Sequence, residues 1–249
     1  MDMGVKVKFM ETWNRYFPGC ELPVACFYSD SLDGIEFPAP PTPDKKRHTC
    51  IFSQITAVRK GRPRAFNHEN LGCPGAARLF GFIPPRTIEE SVELLVTMER
   101  FKKSAEHVKN IFHDNPPLAA QGKYLVFKPW HTLAEDDVPQ VVFFFVTADA
   151  LAGLHCLANF DAMDSHGVIS PFGSGCDSLV GFSMREKETD NPRAVTGLFD
   201  PDARACIKKD LLNFSVPWPK FLSMLENMDD CFLNTSSWEG IRKRMSKEV

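Results

Sequence analysis

The chain has 249 residues, 43% hydrophobic and 24% charged, long enough to bury a sizeable core as one large domain or as two packed lobes. Its 29 Lys and Arg nearly balance 32 Asp and Glu, for a formal charge of −3 with no long run of either sign, which argues against nucleic acid or an anionic membrane as partner. The N-terminus MDMGVKVKFMETW lacks the apolar centre of a signal peptide, and the longest apolar run, VVFFFV at Val141–Val146, is too short to span a bilayer; a cytoplasmic protein is expected, its partner a small molecule or a redox protein.

In chain order, VKVKFMETWNRYF (Val5–Phe17) predicts a first helix, or a short strand followed by one, stopped by Pro18-Gly19. LPVACFYSD (Leu22–Asp30) predicts a buried strand. The proline-rich GIEFPAPPTPD and the charged KKRH after it predict an extended, exposed segment. In RHTCIFSQITAVRKG, Cys50, Gln54, Ala57 and Val58 fall on one helical face, and Gly61 ends the helix. RPRAF (Arg62–Phe66) has the alternation of a strand, NHENLG that of a turn, and Cys73 with Pro74 opens the next helix. TIEESVELLVTMERFKKSAEHVKN (Thr87–Asn110) predicts one amphipathic helix with Thr87 and Glu90 as a capping box. KYLVFKP and QVVFFFVT predict strands, the second apolar on both faces and therefore central. ADALAGLHCLANF, DARACIKKDLLNF and PKFLSMLENMDDCF predict helices. Apolar runs and helical segments alternate irregularly, without a clean βαβ series, so the expected fold is α+β, a mixed or antiparallel sheet with flanking helices.

The second half of the chain echoes the first. LPVACFYSD is similar to VPQVVFFFVTAD, and each is followed by a Gly-bearing segment, a cysteine and a PRA tripeptide: Cys50 with Pro63-Arg64-Ala65, and Cys176 with Pro192-Arg193-Ala194. The expectation is a single domain over 1–249 made of two related lobes, 1–120 and 121–249, duplicated from one ancestor and packed around a shared pocket. Arg64 and Arg193 would then occupy equivalent strands, free to hold a carboxylate or phosphate, with surface salt bridging as the plainer role.

Eight cysteines are few for a disulfide scaffold, and a reducing compartment leaves them for packing, metal binding or chemistry. Cys73 lies in LGCPGAARLFGF, between Gly72 and a proline at the first helical position, with Gly75 and Ala76 leaving room behind it; a thiolate there gains from the unpaired N–H groups of a helix start. Gly72 would permit an unusual backbone angle. Cys176, in FGSGCDSLVGF, follows a glycine-flanked turn in which Gly175 leaves space for an anion or a flat ligand. Cys50 has His48 two residues before it. Cys26, Cys156 and Cys206 read as core residues, Cys20 and Cys231 as irregular or terminal. No C-x-x-C, G-x-S-x-G, H-E-x-x-H or G-x-G-x-x-G is present, which removes thioredoxin-like, serine hydrolase, zincin and Rossmann chemistry.

PVACF, the segment TC-x3-Q with its ending AVRKG, the block NHENLGCPGAARLFGF and the later GSGCDSLV together resemble the family called domain of unknown function 169. Its blocks typically read P-V-A-V, F-C-Q with A-x-x-G-K, E-N-x-x-C-x-G-A-x-x-L-G, and a later cysteine before an apolar helix. On that resemblance the recurrent cysteines fall on Cys50, Cys73 and Cys176. The chain departs from the pattern where Ile51-Phe52-Ser53 separate Cys50 from Gln54, and again after Cys176. The resemblance implies no activity.

Three functions compete. In the first, Cys50, Cys73 and Cys176, with Gly72 and Gly175 making room, converge on an iron–sulfur cluster or another soft metal, each cysteine a ligand and one coordination position open or filled by a non-cysteine group. In the second, Cys73 is a thiolate nucleophile assisted by His68, five residues before it, and by an anion site near Gly175. In the third, a pocket between the lobes holds a small acid and the cysteines only pack.

Overall fold

The computed structural model describes residues 1–40 and 49–247. His48 and the KKRH segment lie outside the described residues. Seven strands, β1 (Val24–Ser29), β2 (Arg64–Phe66), β3 (Tyr124–Pro129), β4 (Val141–Val146), β5 (Val168–Ile169), β6 (Ala194–Gly197) and β7 (Leu212–Pro217), form one sheet in the order β2-β3-β1-β4-β7-β6-β5. Every pairing among them is antiparallel except β5 with β6. The fold is α+β with a mixed sheet. β4 is the middle strand and all six of its residues are buried, as a continuous apolar run demands when helices cover both faces.

Alternation along the strands divides the core in two. Ala25, Phe27, Val142, Phe144, Phe214 and Val216 face one cluster, filled by Phe9 and Trp13 of the helix Met3–Tyr16, Leu154 and Leu157 of Ala148–Asn159, and Phe221 of Trp218–Asn227. Val24, Cys26, Phe127, Val141, Phe143 and Phe145 face the other, where Ile51, Phe52, Ala76, Ala77, Leu179 and Ala203 pack from short helical pieces. The cysteines singled out above belong to this second face.

The sheet is built alike on either side of its centre. Ala25 of β1 lies opposite Val142 of β4. Outward from them β1 leads to β3 and then β2, while β4 leads to β7 and then β6. β3 and β7 each end in a proline followed by tryptophan, and each tryptophan N–H donates to the chain entering the central pair: Trp130 N to Pro23 O and Trp218 N to Gln140 O, both 2.9 Å. The two indoles lie 6.4 Å apart. These sides are halves of one sheet joined by β1–β4 hydrogen bonds.

Three local expectations are corrected. The helix expected over Thr87–Asn110 keeps its capping box but breaks into Ile88–Val92, a π-helical stretch Glu93–Met98 with no buried side chain, and Ala105–Asp114, with Arg100 at φ 57° between them. Without a core surface beneath its middle, the amphipathic pattern does not hold one continuous helix. The helix expected over DARACIKKDLLNF stops at Arg204, and Leu212–Pro217 is strand β7, because pairing with both β4 and β6 buries Phe214 and Val216. Cys156, expected in the core, is exposed. The helix Ala148–Asn159 buries Ala150, Gly153, Leu154, Leu157 and Ala158, and position 156 falls off that stripe.

Candidate functional site

Cys50 stands at the start of the short helix Ile51–Gln54, its carbonyl accepting from Ser53 N at 3.0 Å and Gln54 N at 3.2 Å, and the wholly buried Ile51 and Phe52 fix that helix to the sheet. Cys73 caps the helix Pro74–Leu79 through its backbone, with Pro74 in the first turn as expected. Its side chain makes no capping hydrogen bond. Gln54 joins the two segments: its Nε2 donates to Asn70 O at 2.8 Å, and its Oε1 accepts from Gly72 N at 3.1 Å. Thr49 N adds a bond to Gly72 O at 3.2 Å. Asn70, fully buried, donates from Nδ2 to Ala65 O at 3.0 Å and accepts from Asn67 N at 2.9 Å, which shapes the turn before Cys73. The sequence drew attention to the cysteines and left Gln54 and Asn70 without a role, although both stand in the quoted motifs.

Cys176 lies within the first turn of its helix, at φ −64° and ψ −36°, and the Gly175 before it is already helical. The preceding Gly175 N–H donates to Asp200 Oδ2 at 2.8 Å, while Asp200 Oδ1 accepts from Asp202 N at 3.0 Å and caps the helix Pro201–Arg204. Cys206 follows that helix, half-buried against the second core cluster, its thiol 3.8 Å from Asp202 O.

The two glycines before Cys73 and Cys176 serve close approach. Neither has a positive φ, so the unusual backbone angle expected at Gly72 is not there. A Cβ at Gly72 would lie 2.7 Å from Thr49 Cβ and 3.0 Å from Thr49 O. A Cβ at Gly175 would lie 2.4 Å from Ala203 Cβ and 2.8 Å from the Phe52 ring. Residues beside Cys50, Cys73, Cys176 and Cys206 are thus pressed together from four separate stretches of chain.

The thiols feel one another. Burial pushes the Cys50 thiol up to about 12, with the neighbouring Cys206 and Cys73 adding to the shift, and Cys50 also has a side-chain interaction with Cys206. Burial likewise pushes Cys176 well above its ordinary value, reinforced by Cys73, Cys50, Asp177 and Asp200. Cys50 and Cys176 are therefore neutral thiols at physiological pH and weak nucleophiles. Among the described residues no group of three or more His, Cys, Asp or Glu side chains is placed so that it could hold a metal ion.

Other candidates stand apart. His68 is exposed in its turn. Arg64 pairs with Glu36 at 2.9 Å and Arg193 with Glu186 at 2.6 Å, and the strands near them, β2 and β6, are separated by β3, β1, β4 and β7, so they hold no common anion. An open surface depression of about 590 Å³ is lined by Arg78, Arg86, Glu89, Glu90, Glu93, Leu94 and Met98 and does not include the cysteines.

The sequence profile of the uncharacterised ArCR family, domain of unknown function 169, matches residues 21–227, and the chain belongs to that family. No curated protein and no solved structure is similar enough to the chain to match it.

Proposed function

For this member of the domain of unknown function 169 family, we propose a cofactor protein in which the thiolates of Cys50, Cys73 and Cys176 hold an iron–sulfur cluster or a single soft metal ion. The observation that carries this reading is the convergence of three segments remote in sequence, through contacts that tolerate only glycine at positions 72 and 175. The buried thiols of Cys50 and Cys176 are poor nucleophiles and suit a thiophilic cation, whose charge would offset the burial of the thiolates and displace their protons to solvent. Cys50, Cys73 and Cys176 are free thiols, which suits a cytoplasmic setting and a redox protein or small molecule as partner. The likeness of β1-β3-β2 to β4-β7-β6 supports descent of the two sides from one duplicated unit, with the site fed by both.

Anaerobic purification tests the reading. The expected protein is brown, with broad visible absorption and both iron and acid-labile sulfide, or colourless with a stoichiometric soft metal. Cys73→Ser should lose that content while its stability changes by about 1 kcal/mol or less, because the thiol makes no capping bond to lose. A wild-type protein that stays metal-free after anaerobic reconstitution with iron and sulfide, and with zinc, overturns the proposal; one rapidly alkylated thiol in that protein would return the nucleophile.

A further inference from the structure

We infer that residues 86–115 form a strap, fixed at both ends, whose middle closes onto Arg78 and covers that end of the helix Pro74–Leu79. The inference does not depend on the metal reading above.

The strap leaves the body of the protein and returns to it through two proline pairs, Pro84-Pro85 and Pro116-Pro117, which stiffen both crossings. Its base is tight. Leu118 N donates to Leu79 O at 3.0 Å, and Arg185 donates from Nε and Nη2 to Pro116 O at 3.0 and 2.8 Å. Gly81, at φ 75°, lets the two crossings approach, since a Cβ there would lie 2.4 Å from Ala120 N. The far end is tied down as well. The Phe101 and Phe172 rings lie 6.3 Å apart, and Lys102 Nζ stands 3.6 Å over the Phe172 ring.

Between these anchors little is packed. Across 86–115 only Ser91 and Val108 are buried, and Met98 is 67% exposed. The chain there runs through the π-helical stretch Glu93–Met98 and then Arg100 at φ 57°. Backbone with so few buried contacts rearranges locally at low cost.

The open depression of about 590 Å³ is where such a rearrangement leads, because Arg78 lines it from the body and Glu89, Glu93, Leu94 and Met98 line it from the strap. Arg78 Nε is buried without a hydrogen-bond partner. Among the described residues neither Arg78, Glu89 nor Glu93 takes part in an ion pair. Glu90 is already used, accepting from Thr87 N at 2.9 Å in the capping box. Glu89 and Glu93, four residues apart, thus share with one unpaired guanidinium a space that is not filled. Moving the middle of the strap inward joins these charges and buries Leu94 and Met98, while Arg86 travels with the strap.

The experiment is amide hydrogen exchange by mass spectrometry on the full chain, for wild type, Arg78→Glu, the pair Glu89→Lys with Glu93→Lys, and all three changes together. Rates over 88–98 are read relative to the helix Ala148–Asn159, which packs in the other core cluster. Arg78→Glu and the double lysine variant should each exchange about 2- to 5-fold faster over 88–98, the effect of losing an exposed ion pair. The triple variant restores opposite charges and should return most of the way to the wild-type rate. Added salt should speed this stretch in wild type and leave the reference helix unchanged. Wild-type rates in both charge variants, or a triple variant as fast as the two effects multiplied, overturns the closure onto Arg78. Phe172→Ala tests the anchor at the far end: exchange over 99–104 should quicken, and an unchanged rate there overturns the fixed tip.

Discussion

Gly175 has its closest neighbour in Ala203, and the pair offers a direct test of how the site is held. Gly175→Ala sets two methyl groups 2.4 Å apart and presses the new one on the Phe52 ring. Overpacking of this kind costs about 1–3 kcal/mol, and it should move the Cys176 segment away from Phe52. Adding Ala203→Gly removes the nearest atom, so the double variant should regain part of the loss, with a coupling of about 0.5–3 kcal/mol in denaturant melts. Strict additivity would mean that the two residues do not touch in solution. The importance of Gly72 and Gly175 was legible from their place before cysteines; its cause was not. A glycine that turns the chain and one that admits a neighbour read alike in sequence, and the neighbours here, Thr49 and Ala203, come from distant segments.

Among the elements, those that bury a continuous or alternating face read out well. VVFFFV became the central strand because nothing else satisfies six apolar residues in a row. Where packing decides, pattern failed: Glu93–Met98 has helical spacing but no buried side chain, and LLNF was taken into the sheet by two neighbouring strands. The link between the Cys50 helix and the Cys73 turn is a further case, since it runs through one side chain. Gln54→Ala would leave Gly72 N–H and Asn70 C=O without their partner, a cost of about 1–3 kcal/mol where these groups stay dry. Gln54→Glu keeps the acceptor for Gly72 but loses the donor for Asn70 O. If the proposed metal site exists, both should weaken its binding without removing a thiol, and glutamate should do so despite keeping the length of the side chain. Unchanged melting and metal affinity in Gln54→Ala would show that the two segments are held by other contacts.

At the scale of the whole molecule, strand order and chain order disagree in a way that bears on how the protein can be divided. A boundary at 120/121 assigns β1 and β2 to the first piece, yet these strands are not neighbours: β3 lies between them, and β1 bonds on its other side to β4. The helix Met3–Tyr16 would also lose its cover, because Phe9 packs on Trp130, Phe144 and Phe221 and Trp13 on Phe144. A fragment of residues 1–120 therefore has two unpaired strands and an uncovered apolar helix face, and it should be unfolded by circular dichroism and by amide shift dispersion. Residues 133–249 differ, since β4, β7, β6 and β5 are contiguous in the sheet and the helices Ala148–Asn159, Trp218–Asn227 and Ser236–Met245 lie on one face of it. That fragment should keep sheet signal with a broad, weakened transition, because β4 loses β1 and exposes one edge. Mixed with residues 1–132, which hold β2-β3-β1 as an equally contiguous set, it should recover a single cooperative melt through the β1–β4 pairing centred on Ala25 and Val142. A well-dispersed spectrum from 1–120 alone would instead establish that the first stretch folds without β3, contrary to the strand order.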